Sequence, residues 1–321
     1  MPTKTNNILD LLIIGAAAAG PAAAVYASRR RLNFVVVSKD VGGEVALSGE
    51  IENWPGIIHT DGIELADMFA KQMKHYKVPV DEGLEVTGIT PEKNVHIIRA
   101  KDGLGKEKTY KTKTVIVASG IHPRELGIPG EKKLKGKGVT SCTVCDGPLF
   151  AGKVTATIGA GNSALESALM MGDIAKKVYL ITKYPNTKET QGGFPRGEAI
   201  LIEKVKALKN VEIVYNASTK EILGEKVVSG LRYDNGDIKE HALDVEGVMV
   251  HIGNIPNSDF VTCVAKNELK EIKVDTLCRT NCPGVFAAGD VTDVPFKQIA
   301  IAAGHGVTAA LSAIDYINKW K

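Results

Sequence analysis

The sequence predicts an α/β protein built on two separate strand, glycine-turn, helix units, and three observations predict it. Residues Leu9 to Ile14 are a continuous apolar run of strand length that breaks at Gly15 and passes into alanine-rich sequence through Ala27. The same order recurs at Val154 to Ile158, followed by Gly159-Ala160-Gly161-Asn162-Ser163-Ala164. A third apolar strand, Val285 to Ala288, stops at Gly289-Asp290 and leads into a long helical stretch. Short apolar strands alternating with helices are the pattern of a parallel sheet covered by helices.

The first turn, Gly15-Ala16-Ala17-Ala18-Ala19-Gly20, suits a pyrophosphate. Backbone N–H groups and the positive end of the helix dipole converge there. Ala17 stands where such a turn usually has its middle glycine, and its methyl group takes room that a phosphate would use. The next strand, Phe34 to Val37, ends near Asp40, at the spacing where a carboxylate meets a ribose hydroxyl. Arg29-Arg30-Arg31 reads as the solvated end of a helix. The second turn keeps Gly159 and Gly161, while Ser163-Ala164 supply small residues in the third-glycine region. Its helix runs through Met171, with Met170 and Met171 as core filler, and a strand follows at Val178 to Ile181. Two such units indicate two nucleotides or a bridged pair. Near the carboxyl end, Asp290 sits where open α/β sheets hold ligands and where it would accept bonds from a sugar-like chain. After Lys297-Gln298 a helix is predicted from Ile299 to about Trp320, its amino end set against an electron-rich ring.

Between the two glycine turns lies Cys142-Thr143-Val144-Cys145-Asp146-Gly147. Two thiols separated by two residues can close a disulfide and reopen it by thiolate attack, so they can store an electron pair. The placement points to flavin-linked disulfide chemistry. Zinc is the competing reading, because Cys278 and Cys282 offer a second pair of sulfur ligands. Two inert buried thiols are the third.

At 321 residues the chain has room for about two domains. With 44% hydrophobic and 24% charged residues it has an ordinary globular composition, and a net charge of +3 gives no electrostatic case for nucleic acid or an anionic membrane. Pro2 to Asn7 carry no leader-like apolar core, no window is expected to span a bilayer, and five cysteines suit a reducing compartment, so a cytoplasmic location is expected.

Six motifs taken together resemble the low-molecular-weight thioredoxin reductases of bacteria and archaea and the reductase portion of alkyl hydroperoxide reductase. They are Glu52-Asn53-Trp54-Pro55-Gly56, Val117-Ala118-Ser119-Gly120, Cys142 to Gly147, the Gly159 turn, Ile252-Gly253-Asn254-Ile255-Pro256-Asn257, and Pro283 through Gln298. The resemblance covers essentially the whole length. It implies two Rossmann-like nucleotide-binding domains, an NAD(P)H domain of residues 120–245 inserted into a discontinuous FAD domain of residues 1–119 and 246–321. It also implies relative rotation of the two domains and a homodimer. The implied activity is thioredoxin-disulfide reduction, with electrons passing from NAD(P)H through FAD and the Cys142–Cys145 pair to thioredoxin or a thioredoxin-like protein.

The resemblance makes Cys142 the sulfur that attacks the substrate, Cys145 the sulfur nearest the flavin and Asp146 the acid/base group. It assigns FAD to Gly15, Ala16, Ala17, Ala18, Ala19, Gly20, Asp40, Gly43, Glu44, Asn53, Val86, Ala118, Ser119, Gly120, Gly289, Asp290, Lys297, Gln298 and Ile299. It assigns NAD(P)H to Gly159, Gly161, Asn162, Ser163, Ala164, Lys183 and Lys188, with no metal. Where the family has a histidine and arginines for NADPH, this chain has Thr182, Lys183, Tyr184 and Lys188, so NADPH is expected to be favoured through point charges rather than bidentate forks. Reduced ferredoxin or another flavin as donor, a peroxiredoxin-linked partner, and a flavin-binding sensor with structural zinc are the alternatives.

Overall fold

The computed structural model describes residues 8–48, 50–237 and 241–320; the Pro2 to Asn7 segment lies outside them. The chain divides into two compact units, the first from Met1–Ser48, Trp54–His122 and Ile255–Lys321, the second from Gly49–Asn53 and Pro123–Asn254. The second junction therefore falls after Asn254 rather than at the expected 245/246. The reason is the strand Gly247–Val250, which pairs in parallel with Val154–Ile158 on one side and Val139–Thr140 on the other. The first junction falls at 122/123 instead of 119/120.

In the first unit the strands run in the order Val80–Glu82, Phe34–Val41, Leu9–Ala16, Glu107–Val117, Val95–Asp102, Leu84–Glu92. Leu9–Ala16 lies at the centre, parallel to both neighbours, and Leu11, Leu12 and Ile13 are fully buried. That two-sided burial explains why the run is apolar throughout rather than alternating. Glu107–Val117 does two jobs along its length. Its first half pairs antiparallel with Val95–Asp102, and its last three residues, Val115 to Val117, pair in parallel with Val285–Ala287. The strand at Val285 thus joins the same sheet as Leu9–Ala16 and Phe34–Val41, and Asp290 lies just past its carboxyl end.

In the second unit a five-stranded parallel sheet has the order Val139–Thr140, Gly247–Val250, Val154–Ile158, Lys177–Ile181, Val211–Val214. The helix Asn162–Ile174 follows the glycine turn and buries Ala164, Leu165, Ala168 and Met171. A separate antiparallel sheet of Ser218–Leu223, Gly230–Asp234 and His241–Leu243 completes the unit.

One expectation is corrected by the carboxyl-terminal helix. Ile299–Asn318 is long and apolar enough to pass the length and composition test for a membrane span. Its apolar character has a packing reason inside the first unit, since Ala302, Gly306, Ala309, Ala310, Ala313 and Ile314 are buried and the helix lies against Ala19–Arg29. The approach is so close that a methyl group on Gly306 would stand 2.1 Å from the Ala19 carbonyl oxygen, whereas one on Gly304 would meet nothing within 4 Å. Two substitutions in the same helix should therefore have opposite signs. Gly304→Ala should stabilise by about 0.5–1 kcal/mol through helix propensity. Gly306→Ala should lose about 1–3 kcal/mol to overpacking, more than propensity returns. Thermal or denaturant unfolding of the two variants checks both, and equal shifts would show that the two helices are not in tight contact.

Candidate active site

The first cradle is made by backbone that only glycine permits. Gly15 has φ +106°, and a Cβ there would stand 2.2 Å from the Ala118 carbonyl oxygen; a Cβ on Gly20 would stand 1.9 Å from the Gly15 carbonyl oxygen. The turn thus folds back on itself and on Ala118, whose N–H donates to the Ile14 carbonyl at 2.8 Å. The helix Ala19–Arg29 begins with no side-chain cap and no acid in its first turn, leaving its N–H groups for an anion. Asp40 lies near the end of Phe34–Val41, exposed, with its Oδ1 accepting from the Gly43 N–H at 3.0 Å. Ala17 is partly exposed and faces Gly43, which has φ +48° and carries no side chain to compete; a Cβ on Gly43 would come 3.2 Å from the Ala17 Cβ. Glu44 sits in the first turn of the short helix that follows.

The loop after Val117 is stapled by a residue that sequence reasoning left unassigned. Ser119 Oγ donates to the Asn257 carbonyl at 2.6 Å, Asn257 Nδ2 donates to the Ser119 carbonyl at 2.8 Å, and the Asn257 N–H donates to the Gly120 carbonyl at 3.0 Å. The only signal for it was its place at the end of the Ile252 to Asn257 motif.

Gly289, with φ +74°, is wedged between Ala19 and Ala302, and Asp290 occupies the short turn Gly289–Val291. Oδ1 of Asp290 is buried without a hydrogen-bond partner, and burial pushes its carboxyl up to about 6, partly opposed by Lys297. His305 Nδ1 is buried without a partner in the same way. An orphan acceptor at the end of the sheet, beside an uncapped helix and a glycine cradle, fits the hydroxyl-bearing chain and pyrophosphate of FAD. Two other expected FAD residues present differently. Lys297 Nζ is committed to Glu271 Oε1 at 2.8 Å and donates to the Thr292 carbonyl at 2.6 Å, while the Val86 side chain is buried in the core. Gln298 is the residue at the N-cap of the helix starting at Ile299. Asn53 groups with the second unit rather than the first.

The second cradle repeats the logic. A Cβ on Gly159, at φ +156°, would stand 2.3 Å from the His251 carbonyl oxygen, and helix Asn162–Ile174 again starts with no side-chain cap. Ala164 is buried, as the small-residue reading requires. Asn162 exchanges two bonds with Glu198, at 2.9 and 2.8 Å, which folds the segment before Ala199 onto the turn. That fold brings Arg196 into a bridge with Gly161. Arg196 was not foreseen; Gly192, Gly193, Pro195 and Gly197 mark the loop as a turn, but nothing local shows that it returns to the fingerprint. Thr182 is buried, its hydroxyl donating to the Gly193 carbonyl at 2.7 Å, so it anchors this loop. Lys183 and Lys188 are exposed, Lys183 lying 5.4 Å over the Tyr184 ring.

Cys142 and Cys145 are joined in a disulfide, their Cα atoms 5.3 Å apart, across the one-turn helix Thr143–Asp146. Cys142 is its N-cap, and its Sγ accepts from the Cys145 N–H at 3.3 Å. Thr140 ties the first and last positions together: its hydroxyl accepts from the Cys142 N–H at 3.1 Å and donates to Asp146 Oδ2. Asp146 is thereby fixed beside the pair. Cys142 and Cys145, half of the sulfurs in the zinc alternative, are bonded to each other, and no group of three or more His, Cys, Asp or Glu side chains that could hold a metal ion occurs among the described residues. Cys278 is buried, with its Sγ 3.6 Å from the His305 carbonyl and its thiol pushed up to about 11, first by burial and then by Asp275.

Comparison with known proteins gives the same outline. The family model described as pyridine nucleotide-disulphide oxidoreductase matches residues 9–306. A polypeptide of the alkyl hydroperoxide reductase from Escherichia coli K12 is 39% identical over 325 residues, covering 98% of this chain and 60% of that protein. The chain thus spans about three-fifths of the length of the curated relatives it matches. The crystal structure of thioredoxin reductase from Streptococcus pyogenes matches with a TM-score of 0.88 at 30% identity, over 98% of this chain and 100% of that one. A ferredoxin-flavin thioredoxin reductase from Clostridium acetobutylicum matches with a TM-score of 0.52 at 28% identity, over 98% of each.

The buried Asp290 yields a pH prediction for the flavin-free protein. A carboxyl raised from 3.8 to about 6 holds its proton more tightly folded than unfolded. Stability from this group is therefore greatest below about 4 and is lost as pH rises through about 6. Asp290→Asn should flatten that slope. Denaturant unfolding at about pH 3.5 and about pH 7, on either side of that window, measures it. An unchanged slope in the variant would place the titration elsewhere.

Proposed function

The chain belongs to the pyridine nucleotide-disulphide oxidoreductase family, and from that premise we propose that it is an FAD-dependent disulfide reductase that passes electrons from a reduced nicotinamide to a thioredoxin-like protein. The observation that carries this reading is the Cys142–Cys145 disulfide, seated at a helix start between the two glycine cradles in the sequence. FAD, when bound, supplies transfer of an electron pair from nicotinamide to that disulfide. Gly15 to Gly20, Asp40 and Asp290 would hold it, and Gly159 to Ala164 with Arg196 would hold the nucleotide donor.

The steps that follow reduction belong to the chain itself. The Cys142 thiolate attacks a sulfur of the partner disulfide, forming a mixed disulfide and releasing one partner thiol. Cys145 then attacks Cys142 Sγ, releasing the second partner thiol and restoring the Cys142–Cys145 bond. The two protons from the dithiol leave on the partner's thiols, and Asp146, held by Thr140, is placed to carry one of them. Val144, 57% exposed between the two cysteines, offers an apolar contact for the partner. A homodimer in the cytoplasm is the state in which we expect this enzyme to work.

A peroxiredoxin-linked partner is the second reading, favoured by the 39% identity to the alkyl hydroperoxide reductase polypeptide. One experiment addresses both. Cys145→Ser should accumulate a mixed disulfide through Cys142 with a thioredoxin-like protein supplied as its disulfide, and Cys142→Ser should not. Adducts are read by mass under non-reducing conditions, with a peroxiredoxin in a parallel arm. A stable adduct through Cys145 in Cys142→Ser would invert the assignment, and capture of the peroxiredoxin alone would favour the second reading.

The proposed donor preference rests on the second cradle. Arg196, beside the turn shared by both nucleotides, should matter alike for NADPH and NADH, so Arg196→Ala should raise KM for each. Exposed Lys183 and Lys188 offer screened, non-bidentate attraction to the extra phosphate, worth about 1 kcal/mol or about fivefold in favour of NADPH and declining with salt. Comparing kcat/KM for both nucleotides in wild type and in the double lysine variant checks this. An NADH preference, or an NADPH preference untouched by losing both lysines, would refute it. Flavin reduction by reduced ferredoxin and by neither nicotinamide would favour the ferredoxin-type donor.

A further inference from the structure

Thr143, the first residue between the two cysteines, is buried, and its hydroxyl is held on two sides. Oγ1 lies 2.6 Å from Ser167 Oγ on the helix Asn162–Ile174 and 2.7 Å from His251 Nε2, at the end of the strand Gly247–Val250. Ser167 Oγ in turn lies 3.4 Å from Thr157 Oγ1. One hydroxyl hydrogen and two lone pairs let Thr143 donate to one neighbour and accept from the other. Burial pulls the His251 imidazole down to about 4, so a neutral ring faces Thr143 at working pH. The His251 backbone N–H donates to the Ile158 carbonyl at 2.8 Å, which fixes its backbone to the strand leading into Gly159.

The helix that carries the dithiol has only four residues, Thr143 to Asp146. One turn of helix does not hold its shape in water without tertiary anchors. That shape matters to the sulfur chemistry, since it aims the Cys145 N–H at Cys142 Sγ. A hydrogen bond to a thiolate is charge-assisted and stronger than one to a disulfide sulfur. Anything that keeps the N–H in place therefore favours the reduced pair over the oxidised one.

We propose that His251 is a positioning residue that acts through Thr143 to hold the one-turn helix, and that it thereby shifts the Cys142–Cys145 couple toward the dithiol. The inference rests on the reading of that pair as the redox centre. Its balance is simple: two glutathione thiols are oxidised to one glutathione disulfide as Cys142–Cys145 is reduced to the dithiol, and His251 changes only the position of that equilibrium.

The test is thiol–disulfide exchange of the full-length flavoprotein against glutathione buffers, read by alkylation and mass at Cys142 and Cys145. His251→Ala should move the equilibrium constant about tenfold toward the disulfide, about 30 mV for a two-electron couple. His251→Gln, which keeps a donor and an acceptor, should restore it to within about twofold of wild type. Thr143→Val, equal in size but without the hydroxyl, should reproduce the shift, and the double variant should add nothing further. It also carries the test should His251→Ala not fold. An unchanged exchange equilibrium in Thr143→Val, or in a His251→Ala protein that has merely lost thermal stability, would overturn the role. So would fully additive shifts in the double variant. A wild-type pair that does not exchange at all would instead overturn the redox reading of Cys142 and Cys145, and this inference with it.

Discussion

The approach of backbone to backbone at a few side-chain-free positions is the constraint on which the rest depends. Gly20 lets the start of one helix close on the Gly15 carbonyl, Gly15 lets the turn close on Ala118, and Gly306 lets the carboxyl-terminal helix close on Ala19. A methyl group at any of these would overlap backbone oxygen, which cannot move aside as a flexible side chain can. Because the contacts share residues, they fix the turn after Ile14, the loop after Val117 and the C-terminal helix relative to one another within the first unit. Gly289, packed between Ala19 and Ala302, belongs to the same cluster and sets the Asp290 carboxylate at its edge.

Charge is managed differently at the two kinds of site. Asp290 is left buried with an unsatisfied oxygen, which costs free energy. Lys297, close enough to oppose the rise in the Asp290 pKa, is itself neutralised by Glu271 and a backbone carbonyl. At the dithiol the Asp146 carboxylate is tied to the Thr140 hydroxyl. Thr140, Thr143, Ser167 and the neutral His251 do the holding with hydroxyls and an imidazole.

At the second glycine turn a distant loop folds back onto the fingerprint. Thr182 has turned inward to hold Gly193, and the Asn162 to Glu198 pair closes the loop over the fingerprint. The Arg196 backbone bridges Gly161 as a result, from 35 positions along the chain. Lys183 and Lys188 stay on the surface, where any charge attraction is weak and salt-sensitive.

By itself the sequence determined the α/β class, both strand-turn-helix units, the Val154 strand to the residue, the start of the helix at Ile299 and the pairing chemistry of Cys142 with Cys145. These are local: apolar runs buried on both faces, glycines at turns and two thiols at a spacing a disulfide can close. Hydropathy could not tell a helix buried against Ala19–Arg29 from one made for lipid, because small apolar residues serve both. Nor could it place the Gly247–Val250 strand in the second unit, since an apolar strand carries no mark of which sheet it joins. Only the tertiary structure decided that Asn257 staples the loop after Val117, that Arg196 meets Gly161 and that His251 meets Thr143. Each of these contacts joins residues 35 to 138 positions apart, too distant for any local periodicity to encode, and each exists only because the parallel sheets bring the ends of non-adjacent strands to one edge.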